Sequence, residues 1–450
     1  MFYPKDTICA ISTAPGNAAI GVVRVSGKDA IEIVSKFFAG NKKLSELPSH
    51  TIAYGKISDN KKVVDEVLVS VFRAPHSYTG EDIVEISCHG SNFITNKILD
   101  LLLTECRLAE PGEFTKRAFL NDKMDLTQAE AVGDLLMAKT KFSHLAAIEQ
   151  LEGSLHKKIR KILDRLTQLR IKVELEIDFL EQDIPDLDIS EFERELKEFE
   201  NDIKIFLKNS ENGMILKEGL KVSLVGAPNV GKSSIFNKLL KTERAIVTPI
   251  PGTTRDYLEE AISLEGFLIR IFDTAGIRST KDEVEKIGIE RSYDVIKNSD
   301  LIVFITDNPK RDSEDLKKLY EMISKEKIIK VLNKSDLFNK SVLKNFSEFI
   351  VVNTIEEGGL QNLKKEILKR INIDTNIIKS GILTNTRQIS ALKNALTSIK
   401  KAIKAVEKDY GFEFIAFDLK EASSFIEEIL GKVTSDDILN NIFSNFCIGK

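Results

Sequence analysis

The run Gly226-Ala227-Pro228-Asn229-Val230-Gly231-Lys232-Ser233, continued by Ser234, sets two glycines, a lysine and a hydroxyl at the spacing of a phosphate-binding loop. It follows an apolar run and opens an amphipathic one, the order strand, loop, helix. Glycines at both ends let backbone N–H groups close around a polyphosphate, the Lys232 ammonium reaches the outer phosphates, and the Ser233 hydroxyl can hold Mg2+. A glycine turn with a solvated lysine would produce the same eight residues, so the meaning of the loop depends on its company. Asn333-Lys334-Ser335-Asp336 follows the apolar run Ile328 to Leu332. A carboxylate such as Asp336 accepts two hydrogen bonds from the N1–H and exocyclic amine of guanine, and adenine offers no such donor pair. Between the two lies Asp273-Thr274-Ala275-Gly276, closing the apolar run Phe267 to Phe272, where the aspartate can hold Mg2+ and the glycine N–H can sense a γ-phosphate. Upstream, Gly252-Thr253-Thr254-Arg255-Asp256 supplies a switch threonine. Four motifs in this order predict binding of GTP.

Hydrolysis poses two questions. Ile277 stands where Ras-like proteins commonly carry a water-orienting glutamine, and isoleucine cannot orient water, so Asp282, Glu283 and Glu285 in the following segment are the candidates. Ras-type enzymes also need an arginine finger to neutralise charge developing between the β- and γ-phosphates. Asn229 offers another answer: its side-chain oxygen, with carbonyls from a loop folded over the phosphates, can hold a monovalent cation in that place. The plainer role for Asn229 is to shape the loop.

The elements around these motifs fall into blocks. Residues 1 to about 121 mix short strand-like runs (Gly21 to Val25, Val67 to Phe72, Ile83 to Ser87) with helical patterns over Asp29 to Phe38 and Phe93 to Cys106, an α+β domain. From Leu126 to about Met214, Leu135, Leu136, Leu145, Ile148, Leu151, Leu155, Ile159, Leu163, Leu166 and Leu169 recur at helical spacing and predict long antiparallel helices, interrupted near Pro185. Residues 220 to about 376 alternate strand and helix, with strands expected at Lys221 to Val225, Ala261 to Leu264, Leu268 to Phe272, Leu301 to Thr306, Ile328 to Leu332 and Phe349 to Val352. That is a Ras-like doubly wound sheet with nucleotide at the strand C-terminal ends. Helical patterns resume over Ile389 to Val406 and Leu419 to Phe443. The expected organisation is 1–121, then a helical domain in two parts, 122–219 and 377–450, with the GTPase domain 220–376 inserted.

The composition is ordinary for a globular chain: 450 residues, 42% hydrophobic, 30% charged, formal net charge −4. A slight acidic excess supplies no global attraction for nucleic acid, so RNA contact would need a local basic patch. Four cysteines (Cys9, Cys88, Cys106, Cys447) without a Cys-x-x-Cys pair argue against a disulfide framework or zinc site and for a reducing compartment. No run reaches the ~18 apolar residues of a membrane span, so a cytoplasmic protein with no membrane partner is expected.

Three further segments resemble the MnmE (TrmE) tRNA-modification GTPases: Ser77-Tyr78-Thr79-Gly80-Glu81-Asp82 followed by Cys88-His89-Gly90; Pro111-Gly112-Glu113-Phe114-Thr115 running to Ala118-Phe119-Leu120-Asn121-Asp122-Lys123; and the terminal Phe446-Cys447-Ile448-Gly449-Lys450. The resemblance spans the chain. It implies an N-terminal domain that binds a tetrahydrofolate derivative (5,10-methylene or 5-formyl form) and dimerises. It places the potassium-binding asparagine on Asn229 and the covering loop on Thr248, Pro249, Ile250, Pro251, Gly252, Thr253 and Thr254, with Thr248, Ile250 and Thr253 contributing to K+. Mg2+ falls to Ser233 and Thr254, and the catalytic glutamate to Glu285. Folate contacts carry over to Arg24, Glu85, Lys123 and Lys450, and the modification chemistry to Cys447. The implied partner is an FAD-dependent subunit of the MnmG (GidA) type, forming a heterotetramer with the homodimer to build a (carboxymethyl)aminomethyl group on C5 of the tRNA wobble uridine. Without the resemblance, Arg24 and Glu85 read as a surface ion pair, Lys123 as a solvated lysine and Cys447 as a buried small hydrophobe. The chain departs from the pattern at Asn353-Thr354, where many GTPases have Ser-Ala against guanine, and at Ser91, where a second glycine is usual. The alternative is a ribosome-assembly or signalling switch of the Era or Der kind, which would carry an RNA-binding module in place of residues 1–121 and no terminal cysteine.

Overall fold

The computed structural model describes residues 6–178, 187–246, 258–273, 295–338, 346–371, 373–432, 435–444 and 446–450. The chain divides into two compact units, one of Met1–Gly133, Gln150–Leu196 and Asn394–Lys450, the other of Asp134–Glu149 and Lys197–Lys393. The first unit opens with β1 (Ile8–Ile11), β2 (Ile20–Ser26), α1 (Ala30–Phe37), β3 (Phe38–Gly40), β4 (Thr51–Asp59), β5 (Lys62–Phe72), β6 (Ile83–His89), α2 (Asn92–Leu102), β7 (Arg107–Leu108) and α3 (Glu113–Leu120). The seven strands form one sheet in the order β3-β4-β5-β6-β2-β1-β7, antiparallel except for β1 with β7. Strand side chains alternate between faces, so Val23, Val25, Val69, Val71, Val84 and Ile86 form a core with Ile31, Val34, Ile98 and Leu102 of the two helices. Arg24, between Val23 and Val25, must then point to the opposite face, and the register sets it directly across from Glu85. Strands β1, β3, β4 and β7 lie outside the expected runs, and the helix expected to reach Phe38 ends one residue sooner because Phe38 starts β3.

Glu113 and Arg117, one turn apart on α3, are each 1% exposed. Arg117 Nη2 lies 2.9 Å from both Glu113 and Asp6, its Nη1 lies 3.1 Å from Glu81, and Arg107 Nη2 lies 2.8 Å from Glu113. Burial alone would push the Glu113 carboxyl up; hydrogen bonds from Arg107, the Glu110 N–H and Arg117 outweigh it and hold the group at about 2. A depressed carboxylate stabilises the fold above its unfolded value and loses that contribution as pH falls toward the folded one. Glu113→Gln is therefore expected to destabilise the protein at pH 7 by up to about 3 kcal/mol, with the gap to wild type narrowing from roughly pH 4.5 toward pH 2. Urea unfolding at a series of pH values reads this; a gap that stays constant with pH would refute it.

The next elements are α4 (Leu126–Met137), α5 (Lys141–Leu151), α6 (Ser154–Asp178) and α7 (Ile189–Glu218). The expected leucine stripe holds on α6, where Leu155, Ile159, Leu163, Leu166 and Leu169 are all buried. It fails before α6, where Leu136 and Leu145 sit exposed on two short helices, not one long one. Pro185 lies outside the described residues.

The second sheet comprises β8 (Leu220–Val225), followed by α8 (Lys232–Thr242), then β9 (Arg244–Ile246), β10 (Leu258–Leu264), β11 (Phe267–Asp273), β12 (Leu301–Thr306), α9 (Ser313–Met322), β13 (Ile328–Leu332), β14 (Ile350–Val351) and α10 (Gln361–Ile371). Its order is β14-β13-β12-β8-β11-β10-β9, parallel from β14 to β11 and antiparallel beyond. Every residue of β12 is buried, as a central parallel strand covered on both faces requires. Leu301, Val303 and Ile305 share a core with Ile235 of α8 and Leu363 of α10, while Ile302 and Phe304 share one with Leu319 of α9. The C-terminal ends of β11, β8, β12 and β13 thus come to one edge of a doubly wound sheet.

The chain closes with α11 (Thr386–Glu407), α12 (Phe412–Leu430) and α13 (Asp436–Ser444). The single helical stretch expected over Leu419 to Phe443 is broken at Gly431, which caps α12 in the left-handed region. Helix α12 packs along α6, where Arg170 Nη1 donates to Ser423 Oγ at 3.4 Å. Among the described residues no helix is long and apolar enough to cross a membrane.

Candidate functional site

The phosphate loop leaves β8 at Val225. A Cβ on Gly226 would stand 2.1 Å from the Ile305 carbonyl oxygen of neighbouring β12, and one on Gly231, at φ +96°, would stand 2.1 Å from Asn333 Nδ2, so both positions require glycine. Asn229 adopts φ +63°, a conformation asparagine tolerates, and is exposed. Val230 is fully buried and anchors the loop in the sheet core. Lys232 opens α8 and is 7% exposed, with Nζ donating to the Gly226 and Ala227 carbonyls at 2.8 Å each. Its ammonium therefore lies within the loop, where phosphate oxygens would compete for it. Ser233 Oγ donates to Asp273 Oδ2 at 3.2 Å, which joins the hydroxyl after the loop to the carboxylate at the end of β11. A hydroxyl and a buried carboxylate in hydrogen-bond contact beside a phosphate loop form an oxygen donor set suited to Mg2+. Ser234 follows on the same helix and is exposed.

The motif Asn333-Lys334-Ser335-Asp336 is tied to this loop. Asn333 is 1% exposed; its Nδ2 donates to the Val230 carbonyl at 2.9 Å and its backbone N–H to Thr306 at 2.8 Å. Lys334, at φ +56°, donates through Nζ to the Asn229 carbonyl at 2.8 Å and pairs with Asp307 at 2.7 Å. Burial pushes the Asp307 carboxyl up, but hydrogen bonds from Lys334 and Arg311 prevail and hold it below the usual range. Asp336 lies exposed on a tight turn, Ser335–Leu337, with its carboxylate available to a base. Asn353 Oδ1 accepts from the Ile355 N–H at 2.8 Å, so this side chain closes its own turn. Thr248, Pro249, Ile250, Pro251, Gly252, Thr253, Thr254, Thr274, Ala275, Gly276 and Glu285 lie outside the described residues, as do Ile277, Asp282 and Glu283.

A second cluster gathers in the first unit. Arg24 donates through Nε to Glu85 at 2.9 Å, its Nη2 lies 2.7 Å from the same carboxylate, and the two side chains are 17% and 27% exposed. This is a half-buried cross-strand pair, not a solvated surface one. The Arg24 guanidinium lies over the rings of Tyr78 and Phe114, at 5.7 and 5.5 Å. Tyr78 and Lys123, with Ser49, His50, Phe72, His76 and Ser77, line a cavity of about 540 Å³, and Lys123 Nζ donates to the Pro75 carbonyl at 2.9 Å. The cavity wall thus combines aromatic rings with the Lys123 ammonium, and the Arg24 guanidinium lies against Tyr78, one of its lining residues. The C-terminal tail reaches the same cluster: Arg24 Nη1 donates to the Gly449 carbonyl at 3.3 Å, and Lys450 N–H to the Cys447 carbonyl at 3.3 Å. Cys447 is exposed, contrary to the buried reading of a lone cysteine, while Cys9 and Cys88 are buried.

Asp307 and Ser12 are residues the motifs did not single out for these roles. Asp307 was findable, as a carboxylate directly after the apolar run Leu301 to Thr306; Ser12, which donates to Gly449 across the length of the chain, carries no local signal.

Residues 7–123 match a family model described as the GTP-binding protein TrmE N-terminus, and residues 126–447 one described as the MnmE helical domain. Relatives described as tRNA modification GTPase MnmE are 44% identical in Alkaliphilus oremlandii and 43% in Clostridioides difficile, each over the whole of both chains. The protein of that description in Aquifex aeolicus is 43% identical over 99% of this chain and 100% of its own.

Proposed function

Because the chain belongs to the MnmE family of tRNA modification GTPases, we propose that its GTP hydrolysis is potassium-activated and drives conformational change in a homodimer that modifies the tRNA wobble uridine. Mg2+ and K+, when bound, neutralise charge that develops between the β- and γ-phosphates. Lys232 binds the outer phosphates, Ser233 and Thr254 hold Mg2+ with Asp273 beside them, and Asp336 reads guanine. Asn229 holds K+ with Thr248, Ile250 and Thr253, and Glu285 orients the attacking water in place of the glutamine replaced by Ile277. The observation that carries the cation reading is Asn229 itself, exposed on the phosphate loop with its backbone carbonyl secured by Lys334 and its side chain left to the solvent side. The helical family model running from 126 to 447 supports the insertion of a GTPase domain, 220–376, between two parts of a helical one, 122–219 and 377–450.

Arg24, Glu85, Lys123 and Lys450 bind a tetrahydrofolate derivative, which supplies a one-carbon unit when present. Cys447 acts in the modification chemistry together with an FAD-dependent partner subunit, and the product is a (carboxymethyl)aminomethyl group at C5. GTP turnover is expected to fall by about 10-fold or more when sodium replaces potassium, and Asn229→Ala to flatten that difference. Equal turnover of the wild type in the two salts would remove the cation from the account.

A further inference from the structure

The C-terminal tail is seated by its backbone. Gly112 N–H donates to the Cys447 carbonyl at 3.4 Å, and the Gly449 carbonyl accepts from both Ser12 Oγ at 3.2 Å and Arg24 Nη1 at 3.3 Å. Gly449 is buried at φ +95°, and a Cβ there would stand 2.4 Å from the Ile11 carbonyl oxygen and 3.0 Å from Ser12 Cα. Only glycine fits this seat. Two residues earlier Cys447 is exposed, and two residues of chain span at most about 7 Å, so the seat of Gly449 bounds where the thiol can go. Arg24 meanwhile spends Nε and Nη2 on Glu85 and Nη1 on the tail, so its guanidinium is divided between the sheet and the tail.

We infer that Ser12 and Gly449 form a latch that positions the Cys447 thiol beside the Arg24 cluster, with Ser12 as a positioning residue that keeps the tail seated when Arg24 turns to an anionic ligand. The part of this that concerns ligand and chemistry rests on the function proposed above; the latch itself does not. The Ser12 bond does not pass through Arg24, so a carboxylate or carbonyl that takes Nη1 leaves the Gly449 carbonyl with one donor. Without the hydroxyl, the same event leaves it with none, buried against β1.

The test is the rate at which a maleimide labels Cys447 in the full-length protein, with and without 5-formyl-tetrahydrofolate, alongside tRNA modification and GTP turnover. Loss of one hydrogen bond moves an open–closed equilibrium by about two- to ten-fold. Ser12→Ala is expected to change the labelling rate by that factor, more with the folate present, and to lower modification, while Ser12→Thr keeps the hydroxyl and behaves as wild type. Gly449→Ala is expected to change labelling further, because its Cβ cannot be seated; thermal unfolding followed by circular dichroism reports that each variant is folded, and GTP turnover that the nucleotide unit is intact. Wild-type labelling rates in both Ser12→Ala and Gly449→Ala would overturn the latch. Altered labelling that responds to neither folate nor modification would leave the latch standing and count against the folate reading instead.

Discussion

Asp336→Asn is expected to weaken GTP binding by about 10²- to 10⁴-fold and to turn the protein toward xanthosine triphosphate. In the proposed reading the carboxylate of Asp336 accepts from N1–H and the exocyclic amine of guanine, and hydrogen bonds to a charged group are worth about 1.5–3 kcal/mol each. Asparagine keeps one acceptor and offers an NH2 donor, which faces the guanine amine donor to donor. Xanthine carries a carbonyl at that ring position, so the amide fits it. The substitution should leave the fold alone, because Asp336 is exposed on the turn Ser335–Leu337, while the neighbours that hold the loop, Asn333 to Val230 and Lys334 to Asn229, are unchanged. Titration with fluorescent guanosine and xanthosine nucleotides checks it. Tight GTP binding by a folded variant would mean that the base is read elsewhere.

Cys447→Ser is expected to abolish tRNA modification, by about 10²-fold or more, with GTP turnover within about two-fold of wild type. Serine matches cysteine in shape, and the tail is held by the backbone carbonyls of Cys447 and Gly449, so the seat survives. What is lost is the sulfur nucleophile. Two of the other cysteines are poor substitutes: Cys9 is buried, and burial pushes the Cys88 thiol up to about 11, while the half-buried Cys106 donates to the Leu102 carbonyl at 3.2 Å. Residual modification near wild type would reduce Cys447 to a structural role.

The parts of the fold that were legible are those where one physical demand dominates. β12 and β13 match their expected bounds, Leu301 to Thr306 and Ile328 to Leu332, because a central parallel strand buried on both faces reads as an unbroken apolar run. β4 was missed because its alternation is carried by Ala53 and Ile57 with glycine at 55 between them, a weak pattern for nine residues of strand. The helices after Leu126 were over-joined, since leucine spacing alone cannot see the breaks around 138–140 and 431. Within the nucleotide site, motif identity placed Lys232, Ser233, Asp273 and Asn333 on one sheet edge. It could not show that Lys334 grips the Asn229 carbonyl, or that Asp307 completes that grip, because those contacts depend on how strand ends meet. The tail is the extreme case: Ser12 and Gly449 are 437 positions apart, and only the folded chain joins them.

The measurement closest to the centre of the account is mass spectrometry of tRNA nucleosides from a strain that lacks this gene, complemented with wild type or with Cys447→Ser. The account predicts that the deletion loses the C5-aminomethyl wobble uridines, that wild type restores them, and that Cys447→Ser does not. Unchanged wobble uridines in the deletion strain would contradict it.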